Sequence, residues 1–155
     1  MEPRIDYHHA AAEGVAAMRG LEAYVHRCGL EPRLIELVKL RASLINGCAY
    51  CIDMHTKDAR ALGETEQRLY ALSAWRETPF YSERERAALA WTEALTLISE
   101  FGAPDEVYEE VSRHFPEKQL VDLTLAIVAI NGWNRLAIGF RAVPGTYESP
   151  YAKKT

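Results

Sequence analysis

Apolar residues recur at helical spacing along nearly the whole chain, and glycine and proline separate one such stretch from the next. In residues 9–27 the apolar side chains follow the period of one face of an α-helix. Gly29 is a typical residue at the end of that helix, and Pro32 is a typical first residue of the next. This pattern predicts an all-α protein.

The same signals divide the rest of the chain. Ser82 and Glu85 form a capping box, which predicts that a helix starts there. Residues 120–130 are rich in β-branched side chains and could form a buried strand, but their length and the lack of a partner strand favour a helix. We expect a single domain, residues 1–155, with about six to seven helices. The predicted segments are residues 9–27, 32–46, 48–62, 65–75, 82–100, 105–114 and 117–140.

Charge and hydropathy exclude two classes of partner. The net charge is −4 and the basic residues are scattered, whereas a protein that binds nucleic acid requires a concentrated basic face. The longest apolar run, residues 123–130, is too short to cross a membrane, and the N-terminal residues lack the order of a signal peptide. We therefore expect a cytoplasmic protein, in which a close cysteine pair is catalytic or metal-binding rather than structural.

Three reactive side chains lie close together in the sequence, namely Cys48, Cys51 and His55. On a helix, positions separated by three and by seven residues share one face, so these side chains line up. The α-carbons of the two cysteines are then roughly 5 Å apart, which a disulfide can bridge. The preceding Asn46-Gly47 favours a break that places the pair in the first turn of a new helix, where the dipole favours a thiolate.

These features predict a dithiol that reduces peroxides. A protonated His55 would stabilise a neighbouring thiolate and a neutral one would accept the thiol proton, and both effects lower the thiol pKa. We assign the attack to Cys51, because its spacing brings it to His55. Cys48, nearer the exposed start of the helix, would then condense with the sulfenic acid and meet the external reductant. The opposite assignment stays open, and Cys28 is interpreted as a partly buried thiol.

Other interpretations of the cysteine pair are also open. A structural zinc site needs four ligands, and the sequence offers no second Cys-x-x-Cys and no suitably spaced histidine pair. A thioredoxin-like protein needs a βαβ context, which this chain lacks. The alternatives are a zinc-binding or redox-sensing module without turnover, or an inert pair. We expect neither a metal nor a cofactor.

The tripeptide Ile-Asn-Gly occurs twice, at residues 45–47 and 130–132, each time after an apolar helical segment. A decayed duplication of a helix–break–helix unit and a chance match explain this equally well. In either case only the first copy is followed by reactive side chains.

With Glu36 upstream, residues 46–51 and His55 resemble the signature of the AhpD-like alkyl hydroperoxidases, which belong to the carboxymuconolactone decarboxylase superfamily. The resemblance covers most of the chain. One departure is Tyr50, where AhpD itself has a histidine before the second cysteine. Supporting matches are found at residues 41–43, 56–60, 75–77 and 131–135.

The resemblance implies an AhpD-like fold and assembly into homo-oligomers, either trimers or hexamers. It implies peroxidase activity with Cys51 as the nucleophile, Cys48 as the resolving thiol, and a proton relay through Glu36 and His55. The substrate would be a small hydroperoxide, with hydrogen peroxide a poorer or equal substrate, and the reductant a dithiol such as that of a lipoyl-bearing protein. A disulfide oxidoreductase or a decarboxylase of the same fold is the alternative, although the decarboxylase branch does not use a Cys-x-x-Cys pair.

Overall fold

The computed structural model describes residues 1–152, and these residues form helices and connecting loops without a strand. The all-α prediction is therefore confirmed. The described residues contain nine α-helices, and a short 3₁₀ segment, Leu72–Glu77, follows the fifth. The helices are α1 (Tyr7–Ala10), α2 (Ala12–Arg27), α3 (Pro32–Asn46), α4 (Ala49–Ala61), α5 (Glu66–Ala71), α6 (Glu83–Thr96), α7 (Ile98–Phe101), α8 (Asp105–His114) and α9 (Glu117–Phe140).

The helix count is slightly higher than predicted because the backbone leaves the helical conformation at two places. Ala11, at φ −138°, separates the single turn of α1 from α2. Leu97, at φ −101° and ψ 32°, separates α6 from α7 within the segment that was predicted as one helix. The capping box at the start of α6 is confirmed, since the side chains of Ser82 and Glu85 bond to each other's backbone N–H.

The predicted break between α3 and α4 is confirmed. Gly47 has φ 68°, a left-handed conformation that glycine adopts readily and that ends α3. Cys48 then takes an extended conformation and precedes the first turn of α4. The break aims α4 away from α3 while keeping the two helices in contact, so the cysteines come to lie between α3 and α9.

The long helix α9 lies in the protein core. It packs against α2, α3, α4, α6 and α8, and residues 120–130 are helical as predicted. The length and apolar composition of α9 alone would suffice to cross a membrane, but its contacts with these five helices are those of a core helix. Close packing is visible at Gly132, where a Cβ atom would lie 2.7 Å from Cε of Met18 on α2.

Helix α3 is the other main core element, and it carries charged side chains into the interior. Leu37, Val38 and Leu40 are fully buried in two apolar clusters. Glu36 and Lys39 on the same helix are buried as well, with 2% and 1% of their surface exposed. Charged side chains are seldom buried to this extent unless they have partners. We therefore expect the groups that surround Glu36 and Lys39 to include such partners.

Candidate active site

A cavity of about 260 Å³ lies beside α3 and α4. Three of the four predicted site residues, Glu36, Cys51 and His55, line it, and Cys48 does not. The other walls come from α1, α2, α9 and the residues that follow α9. The structure thus brings three of the four predicted residues together around one cavity.

Both cysteines are free thiols and both are buried. The expectation that Cys48 lies near an exposed helix start is wrong, because only 1% of its surface is exposed. Ile130 and Ala137 of α9 pack over the start of α4 and cover it. Cys51 is also buried but reaches the cavity, so it is the sulfur that a small molecule in the cavity meets.

The two thiols influence each other's ionisation, and their pKa values move apart. The neighbouring Cys51 thiol, assisted by the backbone N–H groups of Cys51 and Tyr50, lowers the pKa of Cys48 to about 7. The same interaction and the negative charge on Cys48 raise the pKa of Cys51. Above about pH 7 the pair therefore carries a negative charge, which rests mainly on Cys48 at the helix start.

His55 is paired with Glu36 rather than with a cysteine. Its Nδ1 atom lies 2.7 Å from Oε2 of Glu36, and both side chains are buried. Burial lowers the pKa of His55 to about 3, so the imidazole is neutral at pH 7. Of the two states considered for His55, the structure favours the neutral one, and a thiolate here gains no support from an imidazolium.

Glu36 is also uncharged at neutral pH. Burial, and next the nearby Asp58 carboxylate, raise the pKa of Glu36 to about 8. A protonated Glu36 donates its hydrogen to Nδ1 of His55, which leaves the ring hydrogen on Nε2. The neutral His55 ring then has an N–H donor at Nε2, and His55 lines the cavity.

Asn134 belongs to the site, although sequence reasoning gave it no role. It is buried on α9, donates to Oγ of Ser43 at 3.1 Å and accepts from Nδ2 of Asn46 at 2.8 Å. Its amide also acts to lower the pKa of both Cys48 and Cys51. A polar residue on the apolar face of α9 was the signal that could have identified it.

Lys39 and Glu22 were also missed. The buried Lys39 ammonium donates a hydrogen bond to Oε1 of Glu22, and the indole N–H of Trp133 donates to the other Glu22 oxygen at 3.2 Å. Burial lowers the pKa of Lys39 to about 8. A lysine one turn after Glu36 on a core helix was the sequence signal for this pair.

Residues 141–152, which we call the tail, form one wall of the cavity. The last segment predicted as helical ends at residue 140, and the tail is irregular in the structure; the sequence did not indicate where the tail lies. The hydroxyl of Tyr147 donates to the Asp58 carboxylate, with distances of 3.0 and 2.9 Å to its two oxygens. Lys57 donates to the Tyr147 carbonyl at 3.0 Å, and the Gly145 N–H donates to Asp53 at 3.0 Å.

Among residues 1–152, the grouping that could hold a metal ion is Glu36, His55 and Asp58, whose ligand atoms lie within 4.8 Å of one another. Neither cysteine belongs to it. Glu36 and His55 are hydrogen-bonded to each other, and both oxygens of Asp58 accept from Tyr147. The three side chains therefore already have hydrogen-bond partners, Glu36 and His55 in one pair and Asp58 with Tyr147 in another.

Comparison with known proteins shows the family to which the chain belongs. The model of the carboxymuconolactone decarboxylase family matches residues 9–94. The uncharacterised protein YdfG of Bacillus subtilis is 49% identical over 138 residues, which cover 89% of this chain and 94% of YdfG.

Solved structures show the same fold. One is a protein of unknown function from Agrobacterium tumefaciens, for which a role in antioxidant defence as AhpD has been suggested; it has a TM-score of 0.91 and 49% identity, over 94% of this chain and 100% of that one. The debrominase Bmp8 has a TM-score of 0.76 at 22% identity, over 84% of this chain and 70% of Bmp8, so the same fold also supports a different activity. The chain is an AhpD-like member of the carboxymuconolactone decarboxylase family.

Proposed function

We propose that this protein is a thiol-dependent peroxidase that reduces small organic hydroperoxides through Cys48 and Cys51. The observation that carries the proposal is a pair of buried free thiols in one cluster, one of which, Cys51, lines a cavity of about 260 Å³. The AhpD-like fold is that of an oxidoreductase-type enzyme, which agrees with a redox role for the pair. A thiolate is the form of cysteine that attacks the peroxide bond.

Cys51 is the attacking sulfur in this proposal, because it lines the cavity and Cys48 does not. A proton passes from the Cys51 thiol to Cys48, and the Cys51 thiolate forms a bond to the terminal, hydrogen-bearing peroxide oxygen while the O–O bond breaks. The substrate gains two electrons and leaves as an alkoxide. The Nε2–H of His55 is the proton donor for this alkoxide in the proposal. Glu36 then returns a proton to the ring at Nδ1.

Cys48 completes the oxidation. Its sulfur attacks the sulfenic acid of Cys51, a disulfide forms, and hydroxide leaves to become water. The sum is one hydroperoxide and two thiols converted into an alcohol, water and a disulfide. A dithiol then reduces the disulfide by exchange.

The burial of both sulfurs constrains the reductant and the setting. Because the disulfide would be reached through the cavity, we propose a reductant with a slender dithiol, such as a lipoyl group on a carrier protein. We place the protein in the cytoplasm, where such dithiols are kept reduced. We also propose a homo-oligomer of three or six chains, as the family implies.

The test is a peroxide-consumption assay with cumene hydroperoxide and dihydrolipoamide. We expect Cys51→Ser to lose consumption, and Cys48→Ser to form one sulfenic acid on Cys51 that dimedone labels and mass spectrometry locates. Cys28→Ser is the matched control and should retain activity, because Cys28 contacts the Val25 carbonyl and does not line the cavity.

Two outcomes would contradict this assignment. A sulfenic acid on Cys48 in the Cys51→Ser variant would reverse the two roles. A wild-type protein that oxidises once and is not regenerated by any dithiol would be a redox sensor without turnover.

A further inference from the structure

Lys39 is a buried charged group for which the chemistry above has no use. Resting on the proposed function, we propose that Lys39, held by Glu22, is a positioning residue that draws the shared negative charge from Cys48 to Cys51. Two features of this site favour negative charge on different sulfurs. The helix start favours a thiolate on Cys48, whereas the sulfur that reaches the cavity is Cys51.

The geometry places the ammonium on the Cys51 side of the pair. Lys39 and Cys51 both line the cavity, and Cys48 lies outside it beneath α9. Only 1% of the Lys39 surface and 3% of the Cys51 surface is exposed, so little water screens the two groups from each other. A cation in such surroundings favours negative charge on the group nearest to it.

Glu22 keeps the ammonium in place and charged. A buried ammonium without a partner would lose its proton, but Lys39 bonds to a carboxylate whose side chain is 22% exposed. Glu22 is in turn fixed by Trp133, and its Oε1 atom lies 3.2 Å from Nε2 of His26. The Lys39 ammonium is therefore held in a group of hydrogen-bonded side chains from α2, α3 and α9 beside the cavity.

The titration of the surrounding groups agrees with this role. The Cys48 interaction raises the pKa of Cys51, and the attraction of Lys39 acts against that rise; Cys51 in turn acts to raise the pKa of Lys39, which burial lowers. The titratable and charged groups that line the cavity with Lys39 and Cys51 are Tyr7 and His8 on α1, Arg19, Glu22 and His26 on α2, Glu36 on α3, Tyr50, His55 and Asp58 on α4, and Tyr147 and Tyr151 on the tail.

These pKa values define a pH window. The cysteine pair carries its negative charge above about pH 7, and Lys39 keeps its positive charge below about pH 8. Above pH 8, Lys39 becomes neutral and Glu36 becomes negative, and both changes disfavour a thiolate on Cys51. The reactivity of Cys51 should therefore be greatest between about pH 7 and 8.

The experiment measures the alkylation rate of Cys51 with iodoacetamide from pH 6 to 9.5, with the site identified by mass spectrometry. In the wild type we expect the rate to rise near pH 7 and to stop rising near pH 8. Lys39→Met should lower the rate at pH 7.5 by about tenfold, which corresponds to one pKa unit. Lys118→Met is the matched control, because that lysine is exposed and does not line the cavity.

Glu22→Gln provides a second test that keeps the lysine. Without its carboxylate partner Lys39 should lose its proton more easily, so the upper limit of the profile should move below pH 8. Thermal melts establish that each variant is folded. A folded Lys39→Met variant with the wild-type profile, or an unchanged upper limit in Glu22→Gln, would overturn the proposal.

The assay also separates this proposal from the peroxidase activity, since alkylation needs no peroxide. A Lys39-dependent alkylation profile in a protein that consumes no hydroperoxide would reject the peroxidase and retain the role of Lys39. Peroxide consumption that survives Lys39→Met unchanged at every pH would reject the role of Lys39 and retain the peroxidase.

Discussion

The protonation of Glu36 decides which nitrogen of His55 carries the ring hydrogen. With its pKa raised to about 8, the carboxyl group is neutral over the pH range in which the cysteine pair is first ionised. Nε2 of His55 is then a donor, as a departing alkoxide requires. Above pH 8 the carboxylate would instead accept the hydrogen of Nδ1, and Nε2 would become an acceptor.

The raised pKa of Glu36 makes a prediction about stability. Between about pH 4.5 and 8 the folded protein holds a proton on Glu36 that the unfolded chain has released, so this group makes the free energy of unfolding fall as the pH rises. Glu36→Gln removes this titration and keeps a donor for His55. We expect its melting temperature to match the wild type near pH 4.5 and to exceed it by several degrees at pH 8.

Calorimetry at the two pH values checks this expectation. Glu83→Gln on the exposed first turn of α6 is the control and should show no such pH dependence. A melting-temperature difference that is the same at both pH values would contradict the burial argument for Glu36.

At this scale the sequence predicted some residues of the site and not others. Cys48, Cys51 and His55 follow from spacing on one helix, and Glu36 follows from the family resemblance. Lys39 and Asn134 were not predicted, because each lies on another helix and spacing within α4 does not show what a second helix contributes to the cysteines. The prediction that Cys48 is exposed was wrong for the same reason, because α9 covers this residue.

Among the helices, the repeated Ile-Asn-Gly shows how context overrides a local signal. The first copy ends α3 at Gly47, whereas the second lies inside the continuous helix α9. The two copies nevertheless meet, since Asn46 donates to Asn131 at 2.9 Å. The second glycine serves close packing rather than a break, because Met18 of α2 lies against Gly132.

The packing at Gly132 can be tested against a second glycine on the same helix. A Cβ at Gly139 meets no atom within 4 Å, so Gly139→Ala should raise the free energy of unfolding by about 1 kcal/mol through helix propensity alone. Gly132→Ala should gain less, because Met18 must first move aside. Urea denaturation measures both variants, and equal gains would show that the contact with Met18 imposes no constraint.

For the molecule as a whole, the sequence predicted the helical architecture well, because periodicity and capping are local. It did not predict the cavity, which forms where α1, α2, α3, α4, α9 and the tail meet. The oligomeric state remains a prediction from the family resemblance. Side chains of α9 such as Val121 and Val128 are more than half exposed, at 59% and 52%, and would be available for contacts between chains.

The tail wall leads to a prediction about substrate size. Tyr147→Phe removes the hydrogen bonds that hold the tail to Asp58. We expect the kcat/KM for a bulky hydroperoxide to rise about threefold or more relative to that for hydrogen peroxide, since a looser wall admits larger groups. Tyr70→Phe, at a residue that is 76% exposed and outside the cavity, is the control. An unchanged ratio would show that the tail does not select the substrate.

Helix α4 holds both the nucleophile and the points to which the tail is attached. Cys51 lies in its first turn, and Asp53, Lys57 and Asp58 bind the tail within the next two turns. A shift of this helix would therefore displace the sulfur and the wall together. Anyone who redesigns the pocket for a larger molecule should shorten side chains in the tail and leave α4 where it is.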